Sequence, residues 1–181
     1  MAKGFSDFVA RWRVPFGFAL GVAYLVFAQP TLPLLIAGSL VALVGLGIRG
    51  YAAGHLQKDQ RLAVSGPYAY TRNPLYLGSL LIGIGLVLAG AQWALGVVFV
   101  VFFLLVYLPV MHREERNLQQ RFGKPFEQYA AAVPLLLPHR KPVRLSQEKF
   151  DWKRYRKNRE YEAALGYLMG IIFLVAKILL R

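Results

Sequence analysis

From Leu77 to Met111 the chain runs for about 35 residues without one charged side chain. As a single helix rising about 1.5 Å per residue, such a run would be about 50 Å long, too long for a hydrocarbon core of about 30 Å. Gly90-Ala91-Gln92 breaks it with turn chemistry, so the spacing predicts two antiparallel apolar helices, Leu77–Gly90 and Trp93–Val110. A membrane hairpin returns the chain to the side it left. Two polar islands flank this one, Ser65–Tyr76 and His112–Tyr129. Hairpin geometry therefore brings both islands to one membrane face, where the chemistry is expected.

Three further apolar runs cover Val14–Gln29, Leu32–Ile48 and Ala163–Leu180, and Gln29-Pro30-Thr31-Leu32-Pro33 reads as the turn between the first two. Hydrophobic residues make up 56% of the 181, charged residues 17%; soluble domains carry about 25% charged residues. Five such runs cannot all be buried inside one soluble domain of this size. The expected class is an all-α integral membrane protein with about five transmembrane helices. Some runs are short for a full crossing, so their ends extend into flanking polar residues or the bilayer thins around them.

The net charge is +13, but it is unevenly placed. Lys3, Arg11 and Arg13 precede the first run; Arg49, Lys58, Arg61 and Arg72 follow the second; residues 111–160 hold thirteen Lys plus Arg. The two turns on the other side hold none. The positive-inside rule then places the N-terminus and both islands in the cytoplasm and the C-terminus on the opposite side. Basic charge clustered beside apolar spans belongs to a membrane protein, not to a nucleic-acid binder, so no nucleic-acid partner is expected. Residues 139–161 carry nine basic and three acidic residues with Phe150, Trp152, Tyr155 and Tyr161 among them. That composition suits a headgroup layer of anionic lipids, or a solvated linker whose charges only set topology. The chain divides into a core over 1–138, this basic interfacial segment over 139–161, and an additional C-terminal helix over 162–181.

The absence of cysteine excludes disulfides and thiolate metal sites. His55, His112 and His139 have no metal-ligand spacing, so no metal is expected. The N-terminus lacks a small-residue cleavage pattern, and no signal peptide is expected. Gly45-Leu46-Gly47 and Gly83-Ile84-Gly85 lie in apolar helices rather than after strands, which favours close helix packing over a dinucleotide fingerprint. Gly166 and Gly170 form a further small-xxx-small pair.

In the first island, Arg72 and Asn73 precede Pro74, a residue suited to a first helical turn. A helix start there, with Tyr68 and Tyr70 on a loop against it, favours an anionic group such as a carboxylate. An interfacial aromatic belt with a snorkelling arginine has the same composition. In the second island, Glu114 and Glu115 stand where an apolar helix should end, and helix C-termini disfavour acids. They pair with Arg113, Arg116 or Arg72, or they bind a cationic ligand.

Together the islands resemble the isoprenylcysteine carboxyl methyltransferase family, within the wider group that includes phospholipid N-methyltransferases. The matching residues run from Leu62 to Gly78, continue in Glu114-Glu115-Arg116-Asn117-Leu118, and end in Phe122-Gly123, Tyr129 and Val133-Pro134. The usual arginine-histidine-proline of the carboxyl-methylating branch reads Arg72-Asn73-Pro74 here, and asparagine-proline also occurs in the phospholipid branch. The resemblance implies S-adenosylmethionine bound at the cytoplasmic face. Its contacts carry over onto Gln60, Arg61, Leu62, Ala63, Tyr68, Asn73, Pro74, Leu75, Tyr76 and Glu114, with His55 a weaker addition. Tyr68 and Tyr76 would meet adenine or the sulfonium, Glu114 the amine, and the start at Asn73-Pro74 the carboxylate. It also implies methyl transfer to a lipid or lipophilic small molecule through a carboxyl or amine group. Arg72 or Arg113 would orient a carboxylate; Glu115 or His112 would take a proton from an amine. Steroid reductases share an arginine-x-proline-x-tyrosine island followed by a glutamate, but Leu77-Gly78-Ser79-Leu80 holds no acid. A non-catalytic lipid-binding protein is the remaining alternative.

Overall fold

The computed structural model describes residues 3–57, 60–143 and 145–180. Lys58, Arg144 and Arg181, counted in the charge pattern above, lie outside the described residues, as do the side chains of Lys3 and Arg13. Every regular element among the described residues is helical. Helix α1 spans Lys3–Phe27, α2 Leu32–His55 and α3 Pro74–Gly90. Helix α4 runs Trp93–Phe122, α5 Lys124–Ala132, α6 Trp152–Lys157 and α7 Tyr161–Leu179. By length and apolarity α2, α4 and α7 can each cross a bilayer; Val14–Phe27 and α3 are shorter apolar helices.

The α3–α4 hairpin closes where the sequence breaks. Ala91 adopts the left-handed conformation (φ 51°) that ends α3, and α4 starts two residues later. Its far end differs from expectation. Helix α4 does not stop near Val110 but continues to Phe122, where Gly123 turns the chain at φ 56°. Glu114 and Glu115 therefore sit inside a helix, away from the terminal carbonyls, and the dipole objection to them disappears. Within α4 the turn Phe103–Tyr107 is a π-helix. Pro109 has no N–H, and its ring crowds the carbonyl four residues back; the widened turn accommodates it.

The α2–α3 contact is set by glycine. Gly38 lies opposite Gly85, and Gly45 opposite Gly78, two turns further along α2 and two turns back along α3. A Cβ on Gly45 or Gly78 would sit 2.6 Å from the facing carbonyl oxygen; one on Gly38 or Gly85 would be closer still. The backbones touch because nothing projects between them, as small residues allow in membrane helices. Gly83 instead receives the Phe99 ring. Gly47 faces open space, so its doublet packs through Gly45 alone, and the Gly166 and Gly170 pair faces open space at both members.

Helix α7 packs at the Gly38–Gly85 end of this pair. Leu174 is enclosed with Ala28, Leu35 and Ala89, while Lys177 Nζ donates to the last carbonyls of α1, Leu25 at 3.0 Å and Val26 at 2.8 Å. The described residues of 139–151 are irregular and lead into the short α6. Phe150 lies over Gly54 and stacks on Tyr51, whereas Trp152 stays exposed.

Candidate functional site

The two islands meet, and a cavity of about 700 Å³ opens between them. Its floor is the start of α3. Asn73 precedes that helix without a side-chain cap, because its amide turns away to donate to the Leu135 carbonyl at 3.0 Å. Pro74, Leu75 and Tyr76 line the cavity from the first turn. The facing wall is the polar half of α4, where Glu114, Glu115 and Leu118 line it. The Tyr76 hydroxyl donates to Glu114 Oε1 at 2.7 Å, joining the islands across the cavity. The Tyr107 ring, carried by the π turn, meets Tyr76 edge-on at 5.6 Å and stacks on Phe103 at 5.0 Å.

Arg72 is held from two sides. Its Nη2 lies 2.8 Å from Glu115 Oε1, and its Nη1 donates to the Ala130 carbonyl at 2.9 Å. Both side chains are mostly buried, at 16% and 20% exposure. Of the partners open to the glutamates in the sequence, Arg72 takes Glu115. Glu114 is left with the tyrosine hydroxyl and a face on the cavity.

The first island is stitched to residues 129–143. Tyr129 Oη donates to the Tyr68 carbonyl at 2.8 Å, and the Arg72 N–H donates to the Pro134 carbonyl at 2.9 Å. The Thr71 hydroxyl, 2% exposed, lies 2.9 Å from the Leu136 carbonyl and 3.3 Å from that of Leu135. It also accepts the Asn73 N–H. Thr71→Val would take the hydroxyl from the Leu136 carbonyl and from the Asn73 N–H, while the Leu135 carbonyl keeps the Asn73 amide, a loss of about 1–3 kcal/mol. A lower thermal midpoint in detergent is expected; an unchanged midpoint would mean that the stitch contributes nothing.

Burial pushes the Tyr68 phenol well above its ordinary range, with nearby Tyr129, Glu160 and Glu114 adding to it. Burial does the same for Tyr129. Both remain neutral hydroxyls at any physiological pH.

Of the residues expected from the sequence, Arg61, Leu62, Ala63, Tyr68, Arg72, Asn73, Pro74, Leu75, Tyr76, Glu114 and Glu115 border the cavity. Four do not. His55 is buried behind the loop, its Nδ1 2.9 Å from Ser65 Oγ, with its ring against Gly66. Gln60 is exposed to one side, and Gln57 lines the wall instead. His112 is exposed beyond the rim, 3.6 Å from Glu115, and Arg113 also lies off the wall.

Sequence reasoning did not single out Arg49, Ser79, Tyr107 or Glu160, which also line the cavity. Arg49 Nε donates to Glu160 Oε2 at 2.9 Å, and its Nη2 lies 2.7 Å from the same oxygen. Its Nη1 donates to the Leu75 carbonyl at 3.1 Å and to Ser79 Oγ. Arg49 and Glu160 are separated by most of the chain, so no local pattern links them. The one signal was a pair of acids, Glu160 and Glu162, just before the last apolar run. Among the described residues no three His, Cys, Asp or Glu side chains gather as a metal site.

The phospholipid methyltransferase family model matches residues 22–125, more than half of the chain, including both helices and both carboxylates just described. The chain belongs to the phospholipid methyltransferase family. Among curated relatives, the cobalt-zinc-cadmium resistance protein CzcN of Cupriavidus metallidurans is 32% identical over 76% of this chain and 69% of its own length. The protein-S-isoprenylcysteine O-methyltransferase of Schizosaccharomyces pombe is 25% identical over 75% of this chain and 59% of its own length. No solved structure matches. The family and the apolar helices together make this an integral membrane protein of methyltransferase type.

Proposed function

We propose that this family member binds S-adenosylmethionine in the cavity and methylates a lipid or lipophilic small molecule at the cytoplasmic membrane face. The observation that carries the reading is the Tyr76–Glu114 bond, which sets a carboxylate and an aromatic face across the cavity from an uncapped helix start. When bound, the cofactor supplies a methyl group on a cationic sulfur. The residues present fit it. Glu114 would pair with its amine, the start of α3 would receive its carboxylate, and Tyr68 and Tyr76 would offer neutral aromatic surface to adenine or sulfonium. Arg61, Leu62 and Ala63 would form the outer wall over it.

For the transfer itself the chain mainly orients the acceptor and excludes water. Leu62, Leu75, Leu118 and Phe122 line the space with apolar surface. Arg72 holds Glu115 in a fixed position, and Glu115 with His112 behind it could pass a proton outward. Val14 and Gly17 of α1 also border the cavity, a route by which an acyl chain would enter from the bilayer.

In this reading all five apolar helices cross the membrane, with the N-terminus and the cavity cytoplasmic and the C-terminus opposite. The bilayer thins around α3, whose 17 residues span about 25 Å. Lys141, Lys149, Lys153 and Arg156 lie on segment 139–161 and would rest on anionic headgroups. Calorimetry on the purified protein in detergent tests the cofactor. S-adenosylhomocysteine should bind at one site per chain and NADPH should not; binding of NADPH with no response to S-adenosylhomocysteine would overturn the reading.

A further inference from the structure

The Arg49–Glu160 pair lies in the wall of the cavity, yet Glu160 belongs to the segment that follows the family match. That segment is fastened to the end of α2. Asn158 Nδ2 donates to the carbonyls of Ala53 at 2.8 Å and Leu56 at 3.0 Å, and the Asp151 N–H donates to that of Gly54 at 3.1 Å. Within the segment itself Glu148 pairs with Arg154 at 2.7 Å. These bonds occupy the terminal carbonyls of α2 and fix residue 160 against the cavity.

The hydrogen-bonding capacity left at this end is that of an acceptor. Both Arg49 contacts fall on Glu160 Oε2, so Oε1 has no hydrogen-bond partner among the described residues. That oxygen keeps some contact with solvent, although the side chain is only 10% exposed. The guanidinium groups offer much less. Arg49 is engaged through Nε, Nη1 and Nη2. Of the other arginines that line the cavity, Arg72 is engaged by Glu115 and Ala130, Arg61 lies 3.7 Å from Glu148, and Arg121 lies over the Phe122 ring. A carboxylate acceptor entering here would meet an accepting oxygen and arginines that already have partners. An amine would meet an oxygen able to take its N–H.

Resting on the methyltransferase reading above, we propose that Glu160 is the acceptor-side residue of the site, that its Oε1 takes an N–H of an amine-bearing acceptor, and that the enzyme methylates nitrogen in preference to carboxylate oxygen. The neutral amine forms the new N–C bond with its lone pair as the C–S bond breaks and its electron pair returns to sulfur. The positive charge passes to nitrogen, and the resulting ammonium gives its proton to solvent. Glu160 compensates that charge through a charge-assisted hydrogen bond.

The test uses the full-length protein in vesicles with isotope-labelled S-adenosylmethionine and two probes, phosphatidylethanolamine for an amine and oleate for a carboxylate. Label is expected in the amine probe. Glu160→Gln should raise KM for that probe by about tenfold or more while S-adenosylhomocysteine affinity stays within about twofold. The double variant R49M/E160M removes both charges of the pair and so keeps neither one stranded; it should bind S-adenosylhomocysteine and lose labelling of the amine. Label in oleate rather than the amine, label in neither, or a wild-type KM in both variants would overturn the proposal. Failure of the wild-type protein to bind S-adenosylhomocysteine would instead overturn the methyltransferase reading beneath it.

Discussion

Glu114→Gln is expected to weaken S-adenosylhomocysteine binding by about 10- to 100-fold and to leave the fold intact. The magnitude is that of one hydrogen bond to a charged group, about 1.5–3 kcal/mol. Fold and binding separate here because of how the adjacent glutamates are partnered. Glu115 is mostly buried against Arg72, so its replacement would leave an arginine partly uncompensated inside the protein. Glu114 faces the cavity and receives the Tyr76 hydroxyl, which an amide oxygen accepts equally well. Only the charge offered to a cationic ligand changes. Tyr76→Phe should cost less, about five- to tenfold, through loss of the bond that orients the carboxylate. Calorimetry on both variants, with circular dichroism as a check on folding, decides the point. Wild-type affinity in both would remove Glu114 from the site.

Gly85→Ala is expected to have the largest effect on the fold itself. One added methyl group would drive into the Gly38 carbonyl and the Ala42 backbone on α2. Backbone cannot rotate away as a side chain can, so the helices must separate and the packing along α2 and α3 loosens together. A cost of about 2 kcal/mol or more follows from overpacking a close contact. The same substitution at Gly47, which faces open space, should be neutral or stabilising by about 0.5–1 kcal/mol, because alanine is the better helix former. Thermal unfolding in detergent, followed by monodispersity on a sizing column, compares the two. Equal midpoints for both variants would show that the glycine contact does not hold the pair.

The hairpin was legible in the sequence because its signals are local. A chargeless run too long for one crossing, with a glycine-containing break in the middle, leaves few arrangements, and Ala91 closes the turn where the break predicts. The helix start at Pro74 was legible for the same reason. The continuation of α4 to Phe122 was not. Polar residues after an apolar run read as the end of a span, yet a helix is free to leave a membrane and continue in water. The glycine doublets showed a similar limit. Composition marked Gly45 and Gly85 as packing residues, but equally marked Gly47, and only the direction each takes from its helix separates them.

The sequence by itself determined the class of this protein: apolar helices, two islands gathered on one face, and carboxylates and tyrosines at the spacing of a methyltransferase family. Period, charge and turn chemistry act between neighbouring residues, so they can be read from order alone. The tertiary structure decided the partners. It gave Glu115 to Arg72 and left Glu114 to the cavity, turned the Asn73 amide away from the site, and brought Glu160 from the far end of the chain onto Arg49. Those choices depend on which side chains a close helix contact and a clamped helix end bring within about 3 Å of one another, the range over which hydrogen bonds and buried ion pairs form.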